Sequence, residues 1–257
     1  MASAVQLHKA SGGTVVILDP YSGDIFAIAN LPTFNPNAFA ESSSVDRRNR
    51  AVQDVYEPGS TFKLVTAAAA FEEGLTNRNE LFDVSAGEIR VGNSITKDMH
   101  TYGVISFEDV IVLSSNVGAI KVGLRLGPER FSRYVRRFGF GESISRDLSG
   151  ESPGIVHNPA KITELDLKSM SMGYGVSVTP LQMASAASAV ANGGQLIEPR
   201  IVRSIISNGI RTPERKRRVI RRAITSETAA ELTEIMEAVV ERGTAKPVSY
   251  THLTLPT

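Results

Sequence analysis

Ser60 and Lys63 form a Ser-x-x-Lys string. On a helix that spacing puts both side chains on one face, about a turn apart. A serine hydroxyl is a poor nucleophile until a base takes its proton. A lysine desolvated among apolar neighbours, its pKa lowered toward about 7 to 8, is able to serve as that base. Leu64, Val65, Thr66, the four alanines 67–70 and Phe71 supply the dry setting. A serine at a helix start also has free backbone N–H groups nearby for an oxyanion. The string alone is weak, because Ser94, Ile95, Thr96 and Lys97 repeat it. That second copy has no apolar helix behind it and, followed by Asp98, His100, Tyr102 and Gly103, reads as a loop. Without its surroundings, Ser60 is more commonly a capping serine beside a lysine whose stem lies along the surface.

Ser114, Ser115 and Asn116 shift that balance. Residues two apart diverge on a helix but converge at a turn between helices, where a second hydroxyl and an amide would face one pocket. Helix capping is an equally common use of such a tripeptide. Together with Ser60 and Lys63 it matches the constellation of penicillin-binding proteins and serine β-lactamases.

The elements that must position these groups are marked by their punctuation. Thr14 to Leu18 and Asp24 to Ala29, separated by Asp19 to Gly23, read as a β-hairpin. Leu31 to Phe39, with two Pro and two Asn, is irregular. A buried helix runs from Ser60 to Gly74. Ser106 and Asp109 open a helix to Leu113, and a second follows from Val117 to Leu126. Pro128, Thr179 with Pro180, and Ser226 open three more, the last two closed by Gly193 and Gly243. Ile197 to Ile206 and Arg217 to Ile224 read as strands. Strands early, helices in the middle and strands late give an α+β domain rather than repeating βαβ units.

Composition narrows the function classes. The 257 residues carry 28 Lys+Arg against 27 Asp+Glu, 42% hydrophobic residues and no Cys. A globular chain fits and disorder does not. Near-neutral charge and 6% aromatics without Trp give no pull toward nucleic acid. Without Cys, thiolate chemistry is excluded. No apolar run approaches the roughly 18 residues of a membrane span. The run Arg211 to Arg222 holds seven cationic residues but no interleaved aromatics, and reads as a solvated loop or edge strand. His8, His100, His157 and His252 lack metal-ligand spacing, and His100 beside Asp98 reads as a loop hydrogen-bonding residue.

From about Ala10 to Lys246 the chain resembles the transpeptidase domain of class B penicillin-binding proteins, closest to the division-specific type. The resemblance is carried by TVVILDPYSGDIFAIANLPTFNPN (14–37), RNRAVQDVYEPGSTFK (48–63), SSNVG (114–118) and GYGVSVTPLQMASAASAVANGG (173–194). It implies the transpeptidase and serine β-lactamase-like fold: an antiparallel sheet flanked by helices, with an all-helical lobe. It also implies a D,D-transpeptidase that cross-links peptidoglycan stem peptides ending in D-Ala-D-Ala and is acylated by β-lactams. Ser60 would attack, Lys63 would take its proton, and Ser114 would relay that proton to the departing D-Ala. Asn116 would hold Lys63 and the donor peptide. No metal or cofactor is implied. The implied partners are a membrane glycosyltransferase and divisome proteins, at the bacterial inner membrane with the domain periplasmic or extracellular. The segment around Gly173, Tyr174 and Gly175 would pack near or line the cleft.

The chain departs from the family in lacking a Lys-Thr-Gly or Lys-Ser-Gly string. Residues 1–247 read as a partial transpeptidase domain that stops short of that strand. Residues 248–257, VSYTHLTLPT, resemble a translated sequencing adapter. The anchor and the non-catalytic domain that precede the family's transpeptidase region are not in this sequence. The competing reading is a non-catalytic penicillin-binding or divisome scaffold fragment.

Overall fold

A computed structural model describes residues 1–245; the 248–257 tail lies outside the described residues. A short helix α1 (Ala2–Leu7) precedes the hairpin of β1 (Gly13–Leu18) and β2 (Ile25–Leu31), then α2 (Arg50–Gln53) and the long buried α3 (Lys63–Glu72). Four short strands follow, β3 (Leu81–Asp83), β4 (Glu88–Val91), β5 (Ser94–Lys97) and β6 (Val104–Ser106), leading into α4 (Phe107–Val112), α5 (Asn116–Arg137) and α6 (Glu164–Met170). The chain closes with α7 (Pro180–Ala191), β7 (Gln195–Ile197), β8 (Ile206–Ser207), β9 (Ile210–Arg211), β10 (Val219–Arg222) and α8 (Ser226–Arg242).

All five ladders are antiparallel and two-stranded among the described residues. A bridge between Asp24 and Arg200 links the β1–β2 hairpin to the β7–β10 pair, and the two side chains form a mostly buried ion pair at 2.5 Å. One hairpin face, with Val16, Leu18, Ile25 and Ile28, packs on Ala51, Val52, Ile144 and Leu181. Helices α2 and α7 thus cover one face of the hairpin, while Val15 and Ile17 on its other face are exposed. The helical lobe built from α3 to α6 also carries the β3–β6 and β4–β5 ladders.

The helix starts follow the caps written in the sequence. Ser106 accepts from the Asp109 N–H, and Thr179 with Gln182 forms a reciprocal capping box ahead of Pro180. Asn116–Arg137 breaks at Gly127, where φ is +72, so the helix opened by Pro128 is distinct from the one before it. Small residues allow α5 to pack closely: a Cβ on Gly118 would meet Val110, and one on Gly123 would overlap the Ser171 hydroxyl. Phe62 anchors the core against Phe131 and Phe140, at ring-centroid distances of 6.4 and 5.1 Å.

The stretch expected to be irregular from Leu31 to Phe39 begins with the last residue of β2 and holds most of a 3-10 helix, Pro36–Glu41, capped by Asn35. Two other expectations change. Ser94–Lys97 is strand β5 rather than a loop, because its β-branched Ile95 and Thr96 pair with Arg90 and Ile89. Between Ile197 and Ile206 the strand stops at the first residue and resumes at the last, where a two-residue turn folds β8 onto β9.

Candidate active site

Ser60 lies not in the α-helix itself but in a 3-10 turn, Gly59–Phe62, that feeds it, and α3 begins at Lys63. The turn runs directly into the helix, and the Ser-x-x-Lys spacing brings Ser60 and Lys63 to the same cavity. Ser60 is exposed, whereas Lys63 is only 2% exposed. The apolar flank is buried as the sequence implies, with Leu64, Val65 and Ala67 to Ala70 all in the core.

The Lys63 amine makes three hydrogen bonds: to the Ser114 carbonyl at 2.6 Å, to Ser114 Oγ at 2.9 Å and to Asn116 Oδ1 at 2.9 Å. An ammonium has three protons, and all three are committed. Burial pulls the Lys63 pKa down to about 8, with Asp98 acting in the opposite sense. The partners lie on the turn between α4 and α5. Ser114 adopts a left-handed φ of +57, uncommon for a residue with a side chain, and this turns its carbonyl and hydroxyl toward Lys63. Ser115 caps α5 by accepting from the Gly118 N–H. The tripeptide therefore divides the two readings open to it: the middle serine caps, while its neighbours face the lysine.

Ser60, Lys63 and Ser114 line one cavity of about 340 Å³, walled by Met183 on α7, Met236 on α8 and Thr244. The wall from α8 is fixed by ion pairs in which Arg242 reaches Glu108 and Asp109 of α4, each at 2.6 Å. Opposite, the turn before Ser60 is gripped by the 173–175 segment. The Gly59 N–H donates to the Gly173 carbonyl at 3.0 Å, and the Gly175 N–H donates to Glu57 at 2.7 Å. A Cβ on Gly173 would come within 2.0 Å of the Gly59 carbonyl oxygen, so only glycine allows this approach.

The second Ser-x-x-Lys string is not a second nucleophile site. Lys97 is exposed and paired with Glu88 at 3.5 Å, while Ser94 accepts from the buried Lys168 at 2.5 Å. Its neighbourhood still reaches the site, because the Lys97 carbonyl accepts from Asn116 Nδ2 at 3.1 Å and Asp98 receives hydrogen bonds from the α5 start. Sequence reasoning missed this role of Asp98; no local spacing signals a capping carboxylate 18 residues before Asn116. Most of the basic run is exposed, and three of its seven cations form ion pairs: Arg215 with Asp147, Arg218 with Glu198 and Arg221 with Glu142.

Residues 13–252 match the family described as the penicillin-binding protein transpeptidase domain. Penicillin-binding protein PbpB of Mycolicibacterium smegmatis is 36% identical, covering 93% of this chain and 38% of that protein. The probable peptidoglycan D,D-transpeptidase PenA of Neisseria meningitidis is 33% identical over 93% of this chain and 39% of its own length. The chain thus spans about two-fifths of these relatives. Among solved structures, penicillin-binding protein 3 of Mycobacterium tuberculosis in complex with aztreonam superposes with a TM-score of 0.86 at 33% identity, over 94% of this chain and 55% of that one.

Proposed function

The chain belongs to the penicillin-binding protein transpeptidase family, and from that premise we propose that it is the catalytic part of a peptidoglycan D,D-transpeptidase with Ser60 as nucleophile. The observation that carries this reading is the buried Lys63 amine, held by Ser114 and Asn116 in the cavity that Ser60 lines. Ser60 Oγ attacks the carbonyl carbon of the penultimate D-Ala of a donor stem peptide, and its proton passes to neutral Lys63. The C–N bond then breaks; the proton travels from Lys63 through Ser114 Oγ to the nitrogen of the departing D-Ala. An amine of a neighbouring stem peptide attacks the resulting ester, the C–O bond breaks, and Ser60 regains a proton as the cross-link forms. Asn116 uses Oδ1 to hold Lys63 and Nδ2 to reach the Lys97 carbonyl, leaving one Nδ2 proton for the donor peptide. A β-lactam enters the same path, but its leaving nitrogen stays tethered, so the ester persists.

The reading assigns the activity to the wall outside the bacterial inner membrane, alongside a membrane glycosyltransferase that supplies glycan strands and the proteins of division. The decisive experiment is intact mass after incubation with benzylpenicillin, on this chain and on Ser60→Ala, with circular dichroism to confirm folding. A penicilloyl adduct lost in the variant is expected. A folded chain that takes up no adduct would refute acylation and leave the non-catalytic module as the surviving alternative.

A further inference from the structure

Asp98 sits at the end of β5, remote in sequence from every residue assigned above, yet its carboxylate gathers the start of α5. It accepts from Ser115 Oγ at 2.7 Å, from the Asn116 N–H and from the Val117 N–H at 3.1 Å. A lone helix cap satisfies one or two backbone donors; here two consecutive N–H groups and a side-chain hydroxyl share one ionised acceptor. The preceding residue, Lys97, holds the Asn116 side chain through its carbonyl. Two neighbouring residues of the hairpin therefore fix both the backbone and the amide of Asn116. The tripeptide they fix includes Ser114, which holds a costly left-handed conformation.

We propose that Asp98 is a positioning residue of the acyl-transfer site. It clamps the Ser114–Asn116 turn so that the Ser114 carbonyl, Ser114 Oγ and Asn116 Oδ1 converge on Lys63, and it supplies the negative charge that balances the Lys63 ammonium. The proposal rests on the acyl-transfer reading of Ser60 and Lys63. Its charge role follows from the same geometry, because Asn116 alone separates the two groups, its N–H on the Asp98 carboxylate and its Oδ1 on the Lys63 amine; the opposite pulls of burial and Asp98 on the Lys63 pKa agree with that placement. Other polar groups of the described residues lie around this pair. From α3 and the α4–α5 turn come the hydroxyls of Ser60 and Ser114. Beyond β5, Tyr102 donates to the Leu113 carbonyl at 3.3 Å, and burial first and Asp98 second push its own pKa up. The Lys97 side chain is exposed and paired with Glu88.

Asp98→Asn and Asp98→Ala separate clamp from charge. Asparagine keeps an Oδ1 acceptor for the two backbone N–H groups and loses the charge; alanine loses both. Two readouts are taken on the full chain: the rate of benzylpenicillin acylation from pH 6 to 9.5, and the NMR titration of the Lys63 ¹³Cε resonance. That resonance is assigned by its loss in Lys63→Arg and followed in a Ser60→Ala background. In Asp98→Asn both the rising limb of acylation and the Lys63 titration are expected to move to lower pH. In Asp98→Ala acylation is expected to fall about 10²-fold, the scale of a misplaced catalytic group. An Asp98→Asn titration superimposable on that of the parent would overturn the charge role, and an Asp98→Ala chain acylating at the parent rate would overturn the clamp. Should Asp98→Ala not fold, acylation by Asp98→Asn at pH 9.5 decides the clamp, with a preserved rate as the expected result and a collapse against it. A parent chain that is never acylated would sink the acyl-transfer reading, while the titration would still decide the charge role of Asp98.

Discussion

Gly173→Ala tests whether the contact between Gly59 and Gly173 sets the position of the nucleophile. Gly173 has φ of +85, and its added Cβ would lie 2.0, 2.7 and 2.8 Å from the carbonyl oxygen, carbonyl carbon and nitrogen of Gly59. All three are backbone atoms, so no side chain is able to swing aside. Ordinary contact begins at 3.4 Å, which means the two segments must part by more than 1 Å. Gly59 directly precedes Ser60, so the proposed nucleophile moves with it. A displacement of about 1 Å costs on the order of 10²-fold in rate, and a side chain forced into the left-handed region adds about 1–2 kcal/mol of strain. Gly175→Ala is the matched control. Its φ of +72 imposes similar strain, but its nearest new contacts are at 4.0 Å. With acylation followed by a fluorescent penicillin and stability by urea unfolding, both variants should lose stability and only Gly173→Ala should acylate slowly. Parent-like acylation by Gly173→Ala, or equal slowing in both, would refute the reasoning.

Acylation of the parent chain should rise with pH through about 8, because the neutral amine is the base and burial brings the Lys63 pKa down to that value; a flat profile between pH 6.5 and 9.5 would contradict it. Folding stability should also rise with pH between about 8 and the ordinary lysine value of 10.5, where the unfolded chain keeps a proton that folded Lys63 has released, and Lys63→Met should flatten that rise in urea titrations. Leu232→Ala, at a fully buried position of α8, should cost about 2–5 kcal/mol in urea unfolding. Thr179→Ala removes the acceptor for the Gln182 N–H at the start of α7 and should cost about 1 kcal/mol by the same measurement.

Most helices were legible because their starts are local events: Ser106, Thr179 and Pro180 announce a helix within four residues of sequence. The burial of Lys63 was legible for a related reason, since the apolar run Leu64 to Phe71 that follows the lysine predicts it directly. Short ladders such as β3–β6 escaped, because three residues carry too little period-two pattern to stand out from a loop. Segment 173–175 could be read no further than as a cleft-side packing element; the need for glycine at 173 comes from Gly59, more than a hundred residues earlier. Asp98 escaped for the same reason. Two of its three partners are backbone N–H groups, which every non-proline residue possesses and no sequence pattern distinguishes.

The three hydrogen bonds of Lys63 also order the chemistry. Three acceptors around the amine, the Ser114 carbonyl, Ser114 Oγ and Asn116 Oδ1, match the three protons of a protonated lysine. On the proposed mechanism that is the state required after Ser60 has attacked, when Lys63 returns a proton to the leaving nitrogen, and Ser114 Oγ lies within hydrogen-bond distance of the amine along that route. Attack itself requires the other state. With a pKa of about 8, roughly a tenth of the sites carry the neutral amine near pH 7. A base with a lower pKa would be free more often but would bind the serine proton less strongly, and one with a higher pKa would rarely be free. Burial in α3 and the opposing charge of Asp98 pull in opposite directions, and a pKa near 8 suits both halves of the proposed reaction.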